Sequence, residues 1–270
     1  MQLDLNSIQQ EVIRISREVG KFIKHEQNRI SSQNVEEKGR NDFVTYVDKA
    51  AETLLVSELS ALIPDCGFIT EENTVSQEEK EFIWIIDPID GTTNFIHGLP
   101  LFSISIALMY EKRIILGLIL EVTNDECFHS IEGGPAYLND KQISVSKRPK
   151  LSDSLIVTGF PYRDEGRLEA WMKLFIHLLQ NSHGVRRLGS AAIDLAYVAC
   201  GRFEAFYEYG LSPWDVAAGG FIVKQAGGEV SDFSGEENWL FGKELMAGNG
   251  LMNEELLNVI KQKFNEIMLK

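Results

Sequence analysis

The chain is short of cysteine, short of positive charge and without a long apolar run. It carries 3 cysteines in 270 residues. Cys66, Cys127 and Cys200 are far apart, odd in number and never in a Cys-x-x-Cys pair. That pattern argues against a disulfide framework or a zinc knuckle, and it fits the reduced thiols of a cytoplasmic protein. Lys and Arg number 26 against 40 Asp and Glu, for a formal net charge of −14. Broad contact with nucleic acid or anionic lipid draws on basic surface, so neither is an expected partner. An acidic chain that handles a phosphorylated compound needs local cations, and bound metal is the simplest source. No apolar stretch approaches the roughly 20 residues needed to span a bilayer. The N-terminus lacks a basic segment followed by an apolar core, so no signal peptide is expected. Internal repeats and low-complexity segments are missing as well.

What is there is concentrated in Trp84-Ile85-Ile86-Asp87-Pro88-Ile89-Asp90-Gly91-Thr92-Thr93-Asn94-Phe95. A bulky apolar run reads as a buried strand and ends abruptly in two aspartates. Carboxylates at such a place are costly unless something cationic meets them. Pro88 fixes one backbone angle, and Gly91 can adopt positive φ. The loop can therefore turn two side chains and a peptide carbonyl toward one point. Hard divalent cations are held in this way, by several oxygens in a fixed cage.

Around this segment the pattern alternates. Ser7 to Glu26 has Ile8, Val12, Ile15, Val19, Phe22 and Ile23 at helical spacing, with Ser7 and Gln10 spaced as a capping box. Ser31 to Asn41 reads as an exposed loop. A helix over Val47 to Leu62, with Leu54, Leu55, Leu59 and Leu62 inward, is ended by Pro64. Gly67 to Thr70, Phe102 to Tyr110, Arg113 to Val122, Glu126 to Ile131 and the Tyr137 to Val145 region read as strands, with Glu111-Lys112 as a tight hairpin. The first half is thus expected to set helices on one face of a largely antiparallel sheet. From Leu155 onward strand and helix alternate: helices over Leu168 to Gln180, Gly189 to Cys200, Trp214 to Gln225 and Glu254 to Met268, and strands at Leu155 to Gly159 and Phe203 to Glu208. A mixed α/β layer follows.

Acidic residues sit at element ends: Asp48 at a helix start, Glu71-Glu72 after a strand, Asp87 and Asp90 after a strand, and Asp215 at a helix start. Alone, Asp48 and Asp215 are what helix N-termini favour. Together with their surroundings they resemble the inositol monophosphatase family. Asp87-Pro88-Ile89-Asp90-Gly91-Thr92-Thr93-Asn94-Phe95 resembles one family signature, and Trp214-Asp215-Val216-Ala217-Ala218-Gly219 followed by Gly227-Gly228 resembles the other. Asp42 to Asp48, Phe68-Ile69-Thr70-Glu71-Glu72-Asn73, Gly189-Ser190-Ala191-Ala192 and Phe206-Tyr207-Glu208 are similar to further parts of the pattern.

The resemblance implies a mixed α/β (α+β) fold, a layered α-β-α-β-α sandwich of the inositol monophosphatase and fructose-1,6-bisphosphatase type. The expected organisation is an N-terminal half over 1–147 with most of the metal ligands and a C-terminal half over 148–270 supplying Asp215 and substrate contacts, packed as one catalytic unit. It also implies a Mg2+-dependent, lithium-sensitive phosphomonoesterase and a homodimer, with two or three Mg2+ per active site. Glu71, Asp87, the carbonyl of Ile89, Asp90 and Asp215 match metal-ligand positions. Asp48 and Thr92 match the pair that orients and deprotonates the attacking water. Gly91 and Thr92 match positions whose backbone amides hold the phosphate in that pattern, Asp90 is a further substrate-binding position, and Gly189, Ser190, Ala191 and Glu208 match contacts to the alcohol. Thr93-Asn94-Phe95 favours inositol-1-phosphate over other phosphorylated polyols or sugars, since phosphatases for 3′-phosphoadenosine 5′-phosphate tend to carry Lys-Glu-Phe there. Fructose-1,6-bisphosphatase, another sugar or nucleotide phosphatase, and a transcription-associated protein-binding role stand as alternatives. His97 is expected to have a structural or surface role, and Trp84 and Trp171 are expected in the core. Lys38, Arg40, Arg186 and Arg187 could steer phosphate.

Overall fold

A computed structural model describes residues 3–30, 35–39, 42–162 and 165–268. Helix α1 (Leu5–Gln27) buries Ile8, Val12, Ile15, Val19 and Ile23, the stripe that the spacing predicts. Its start differs from the expected capping box at Ser7. Asp4 is the N-cap, and its Oδ1 accepts from Asn6 N at 3.1 Å and Ser7 N at 3.3 Å. A carboxylate there satisfies two otherwise unpaired N–H groups and meets the positive helix end.

The stretch expected as a loop is partly strand: β1 (Val35–Gly39) pairs antiparallel with β2 (Asp42–Thr45). An antiparallel ribbon can face water, so its polarity hid it. Arg40 and the side chain of Lys38 lie outside the described residues. Helix α2 (Tyr46–Leu62) buries Val47, Ala51, Leu55 and Leu59. Leu54, expected inside, is 42% exposed. One residue is about 100° around a helix, so a stripe centred on Leu55 leaves its neighbour out.

The first large sheet is built from β3 (Gly67–Thr70), β4 (Phe82–Asp90), then, beyond the short helix α3 (Thr92–Ile96), β5 (Ser103–Tyr110), β6 (Arg113–Glu121), β7 (Glu126–Ile131), β8 (Tyr137–Leu138) and β9 (Lys141–Gln142). The 7 strands lie in sequence order. β3 and β4 run parallel, and the remaining neighbours pair antiparallel. Glu111 and Lys112 turn the β5–β6 hairpin with φ 47° and 63°, the left-handed pair that matches strand twist.

The second sheet uses β10 (Leu155–Thr158) and, after α4 (Leu168–Asn181), β11 (Gly184–Arg186). Helix α5 (Ala191–Ala199) then leads to β12 (Ala205–Tyr209), and α6 (Pro213–Gln225) to β13 (Glu229–Ser231), β14 (Glu244–Gly248) and the closing helix α7 (Asn253–Met268). Its order is β11-β10-β12-β14-β13, with β10 parallel to both neighbours. The sequence pattern does not announce β11, β13 or β14. β11 and β13 each hold a single apolar residue, Val185 and Val230, among three, too little to stand out as a strand.

The layers follow from which faces are apolar. One core joins α1 and α2 to the first sheet through Val12, Leu55, Trp84, Ile86 and Leu118. A second fills the other face of that sheet with α5 and α6, through Leu195, Ala218 and Ile222 against Ile85, Ala107 and Ile119. The same two helices reach the second sheet through Phe206 and Ala247. Its outer face is covered by α4 and α7, with Trp171, Leu174, Leu256 and Ile260. Helix α6 is buried continuously from Val216 to Val223, as a helix between two sheets must be. The result is the expected α-β-α-β-α sandwich. The three cysteines are free thiols, and no described helix is long and apolar enough to cross a membrane.

Candidate active site

Strand β4 carries its apolar run, Trp84-Ile85-Ile86, into the core between the two helix layers. Its pairing with β5 slips between Asp87 and Asp90, which frees the strand end from the ladder. Asp87 Oδ1 accepts from Ile89 N at 2.9 Å, and Thr92 Oγ1 donates to Ile89 O at 2.9 Å. Gly91 then turns the chain with φ 95°. A Cβ there would lie 3.0 Å from Leu101 O and 3.2 Å from Gly189 O, so both angle and space require glycine.

Asp48 and Asp215 perform two tasks at once. Asp48 Oδ2 accepts from Thr45 N at 2.8 Å and from Thr45 Oγ1 at 2.6 Å, closing a capping box on α2. Its other oxygen, Oδ1, accepts from Thr92 Oγ1 at 3.1 Å. Asp215 Oδ2 likewise accepts from Ser212 N at 2.6 Å at the start of α6, while Asp215 faces the cleft. Ser105 Oγ donates to Trp214 O at 3.1 Å and ties that helix start to β5. Each carboxylate therefore caps a helix start and also stands at the cleft or directly behind it.

Asp90 joins the two sheets' territories. Its Oδ2 accepts from Ser190 Oγ and from Ala192 N, each at 2.6 Å. Ser190 caps α5 through Ile193 N at 3.2 Å and meets Ser103 Oγ at 3.1 Å. Its hydroxyl is thus occupied by protein partners. Asn94 is scaffold too: Nδ2 donates to Leu101 O at 2.6 Å and Leu188 O at 2.9 Å, which fixes the turn before Gly189.

Two adjoining clefts gather the candidates. One is lined by Glu71, Asp87, Ile89, Asp90, Gly91, Thr92 and Asp215. The other shares Glu71, Asp90, Gly189 and Asp215 and adds Ser190, Ala191 and Glu208. Asp48 stands behind the first, through Thr92. Among the described residues, no three His, Cys, Asp or Glu side chains already converge on one point as a closed ligand set.

The electrostatics are those of crowded acids. Burial first, then the charges of Glu71, Asp90 and Asp215, push the Asp87 carboxyl well above the carboxylate range. Burial, then Asp90 and Glu71, do the same to Asp215. Asp90 is raised by burial against the lowering effect of its Ser190 and Ala192 bonds. Glu208 is pushed up to about 8, chiefly by burial, with Arg187 opposing. Like charges held this close are offset best by a cation. The donors are all oxygen, which suits a hard divalent ion.

The sequence reading did not identify three contributors. Glu52 is fully buried on α2 and accepts from Glu72 N, Thr74 N and Thr74 Oγ1, each at 2.8 Å, and from Thr70 Oγ1 at 2.9 Å. It holds the loop that presents Glu71. Its signal was an acid on the apolar stripe with Leu55 and Leu59. Gly159 abuts Glu208: an added Cβ would lie 2.0 Å from Glu208 Oε1. Asp194, buried on α5, lines the cleft beside Glu208. Arg187 reaches the cleft, stacked over Phe160 and Tyr162 at 5.3 and 5.6 Å. Arg186 donates to Val185 O. His97 is exposed at the end of α3, and Trp84 and Trp171 are core.

Known proteins agree with this architecture. The sequence profile of the inositol monophosphatase family matches residues 4–268. An inositol-1-monophosphatase of Mesorhizobium japonicum is 39% identical over 252 residues, covering 93% of this chain and 95% of that protein. Nus factor SuhB of Pseudomonas aeruginosa is 41% identical over 254 residues, covering 92% and 94%. Among solved structures, the Thermotoga maritima IMPase superposes with a TM-score of 0.88 at 36% identity, covering 98% of this chain and all of the other.

Proposed function

The chain belongs to the inositol monophosphatase family, a phosphatase family, and from that premise we propose a Mg2+-dependent phosphomonoesterase that hydrolyses inositol-1-phosphate-like substrates. The observation that carries the reading is the buried acid crowd around Asp87, raised by burial and by Glu71, Asp90 and Asp215. Glu71, Asp87, the Ile89 carbonyl, Asp90 and Asp215 are the proposed ligands of two or three Mg2+. When bound, these ions neutralise the phosphate and acidify the attacking water.

The chain's own residues do the rest. Gly91 and Thr92 offer backbone N–H groups to the phosphate oxygens, neutral donors where more carboxylate would repel. Thr92 Oγ1 has one proton and two acceptors, Asp48 Oδ1 and Ile89 O. A ligand role for Ile89 O assigns that proton to Asp48. The attacking water then gives its proton to Thr92 Oγ1 as the Thr92 proton passes to Asp48 Oδ1. The water oxygen bonds to phosphorus, the ester P–O bond opposite it breaks, and the departing alkoxide takes a proton from solvent. Glu208 receives hydroxyls of the polyol, with Gly189, Ser190 and Ala191 forming the turn beneath. The two halves, divided near residue 148, act as one unit because Asp90 on β4 bonds to Ser190 and Ala192 on the far side. A homodimeric, lithium-sensitive, cytoplasmic enzyme goes with this reading.

The test is kcat/KM for inositol-1-phosphate against fructose-1,6-bisphosphate. We expect the monophosphate to be preferred, since a second phosphate would meet Glu208 and Asp194; a strong preference for the bisphosphate contradicts the substrate class. Gly159→Ala supplies a second check. Its Cβ displaces the Glu208 carboxyl, so kcat/KM for inositol-1-phosphate should fall about tenfold, with the fold retained because a flexible side chain can yield. Unchanged kinetics would remove Glu208 from the alcohol site.

Relatives named Nus factor SuhB support a second, protein-binding role in transcription. An Asp87→Asn chain that no longer hydrolyses phosphate yet sustains cellular function would favour that role.

A further inference from the structure

Helix α5, packed between the two sheets, opens with apolar residues around one acid: Ala191, Ala192, Ile193, Leu195 and Ala196 surround Asp194. That acid is 1% exposed. Its Oδ1 is buried without a hydrogen-bond partner, and the residue lines the cleft with Glu208, Gly159 and Ser190. The neighbouring acids differ. Asp90 is bonded to Ser190 and Ala192, Asp48 to Thr45 and Thr92, and Asp215 to Ser212. A buried polar oxygen left unpaired is destabilising, and native folds retain few of them. An apolar side chain would fill this helix position without that cost. The acid is explained if a bound molecule supplies the missing bond.

We propose that Asp194 is a substrate-contacting residue of the alcohol subsite, pairing with one ring hydroxyl of a phosphorylated cyclic polyol beside Glu208. The inference rests on the phosphatase reading above and adds a specificity determinant to it. A hydroxyl is the group that fits. It both donates and accepts, so it pairs with the carboxyl in either protonation state. A second anionic group would be opposed by Glu208 and Asp90 on the same cleft wall. Burial, then the charges of Glu208 and Asp90, hold Asp194 well above the carboxylate range, with Arg187 opposing. A neutral acid at this place can donate its O–H to the polyol. Glu208, set against Gly159, takes an adjacent hydroxyl, so the subsite reads the polyol through two acids.

The test compares inositol-1-phosphate with cyclohexyl phosphate, which has the ring but no hydroxyls, in the wild type, Asp194→Asn and Asp194→Leu. Asp194→Leu should lower kcat/KM for inositol-1-phosphate by about 10- to 100-fold. It should leave cyclohexyl phosphate within about threefold, because no hydrogen bond to that ring is lost. Asp194→Asn, which still donates and accepts, should recover most of the inositol-1-phosphate activity. The melting temperature of Asp194→Leu should equal or exceed the wild type. Equal losses on both substrates, no loss on either, failure of Asn to rescue, or a collapse in stability would each overturn the proposal. A wild type inactive on inositol-1-phosphate removes the proposed substrate class and the inference with it. An active wild type with an undiscriminating Asp194→Leu removes the inference alone.

Discussion

Asp87→Asn is expected to lower kcat/KM for inositol-1-phosphate about a thousandfold and, in the absence of metal, to raise the melting temperature. The two effects come from one cause. Asp87 is 1% exposed and surrounded by the charges of Glu71, Asp90 and Asp215. An amide keeps the shape and the bond from Ile89 N but removes one charge from the crowd. At the proposed metal site the cation would lose a ligand, and several kcal/mol of transition-state stabilisation would go with it. The metal-free fold loses a repulsion instead, which should appear as about 2–4 °C for each kcal/mol relieved. The pH dependence has the same sign. These carboxyls hold protons more tightly folded than unfolded, so their contribution to metal-free stability is fullest in acid. It falls as pH rises through the raised values, with Glu208, at about 8, extending the fall to that pH. Asp87→Asn should flatten that fall. Thermal melts at several pH values, with and without Mg2+, read all of this. A variant that is both inactive and less stable without metal would mark Asp87 as structural.

Thr92→Val should lower kcat about 100- to 10,000-fold, the range of a positioned proton-transfer group. Valine keeps the branched shape at the start of α3 but has no hydroxyl. Asp48 Oδ1 and Ile89 O both lose their partner, at 3.1 and 2.9 Å. Thr92→Ser restores the hydroxyl and should recover activity to within about tenfold of wild type. The capping box between Thr45 and Asp48 is untouched, so α2 should remain intact by circular dichroism. Comparable activity in Thr92→Val and Thr92→Ser would exclude the Thr92–Asp48 proton path.

The parts of the molecule that sequence reasoning reached share one property. Their signal is local and long enough to carry a period or a motif. The stripes of α1 and α4, the β5–β6 hairpin at Glu111-Lys112, and the apolar strand that runs into Asp87 all read directly. The candidate site was legible because carboxylates at the ends of apolar elements stand out against burial. Contributors defined by long-range contact stayed hidden. Glu52 acts on a loop some twenty residues away, and Gly159 matters only because β10 runs beside β12 and brings Glu208 against it. Asp194 sits in an apolar helix whose second face, against the cleft, is set by the packing of α5 between two sheets. Short strands such as β11 and β13 carry too few residues to show alternation. Leu54 shows the converse, since a leucine run does not by itself say which leucine faces inward.

The central claim is that the buried carboxylates form a divalent-cation site that drives hydrolysis of a phosphate monoester. The direct test is phosphate release from inositol-1-phosphate by chelator-stripped protein as Mg2+ is added back. The account predicts no turnover without the cation, and a saturable rise to full activity as it is restored. Full turnover in the presence of excess chelator would contradict it.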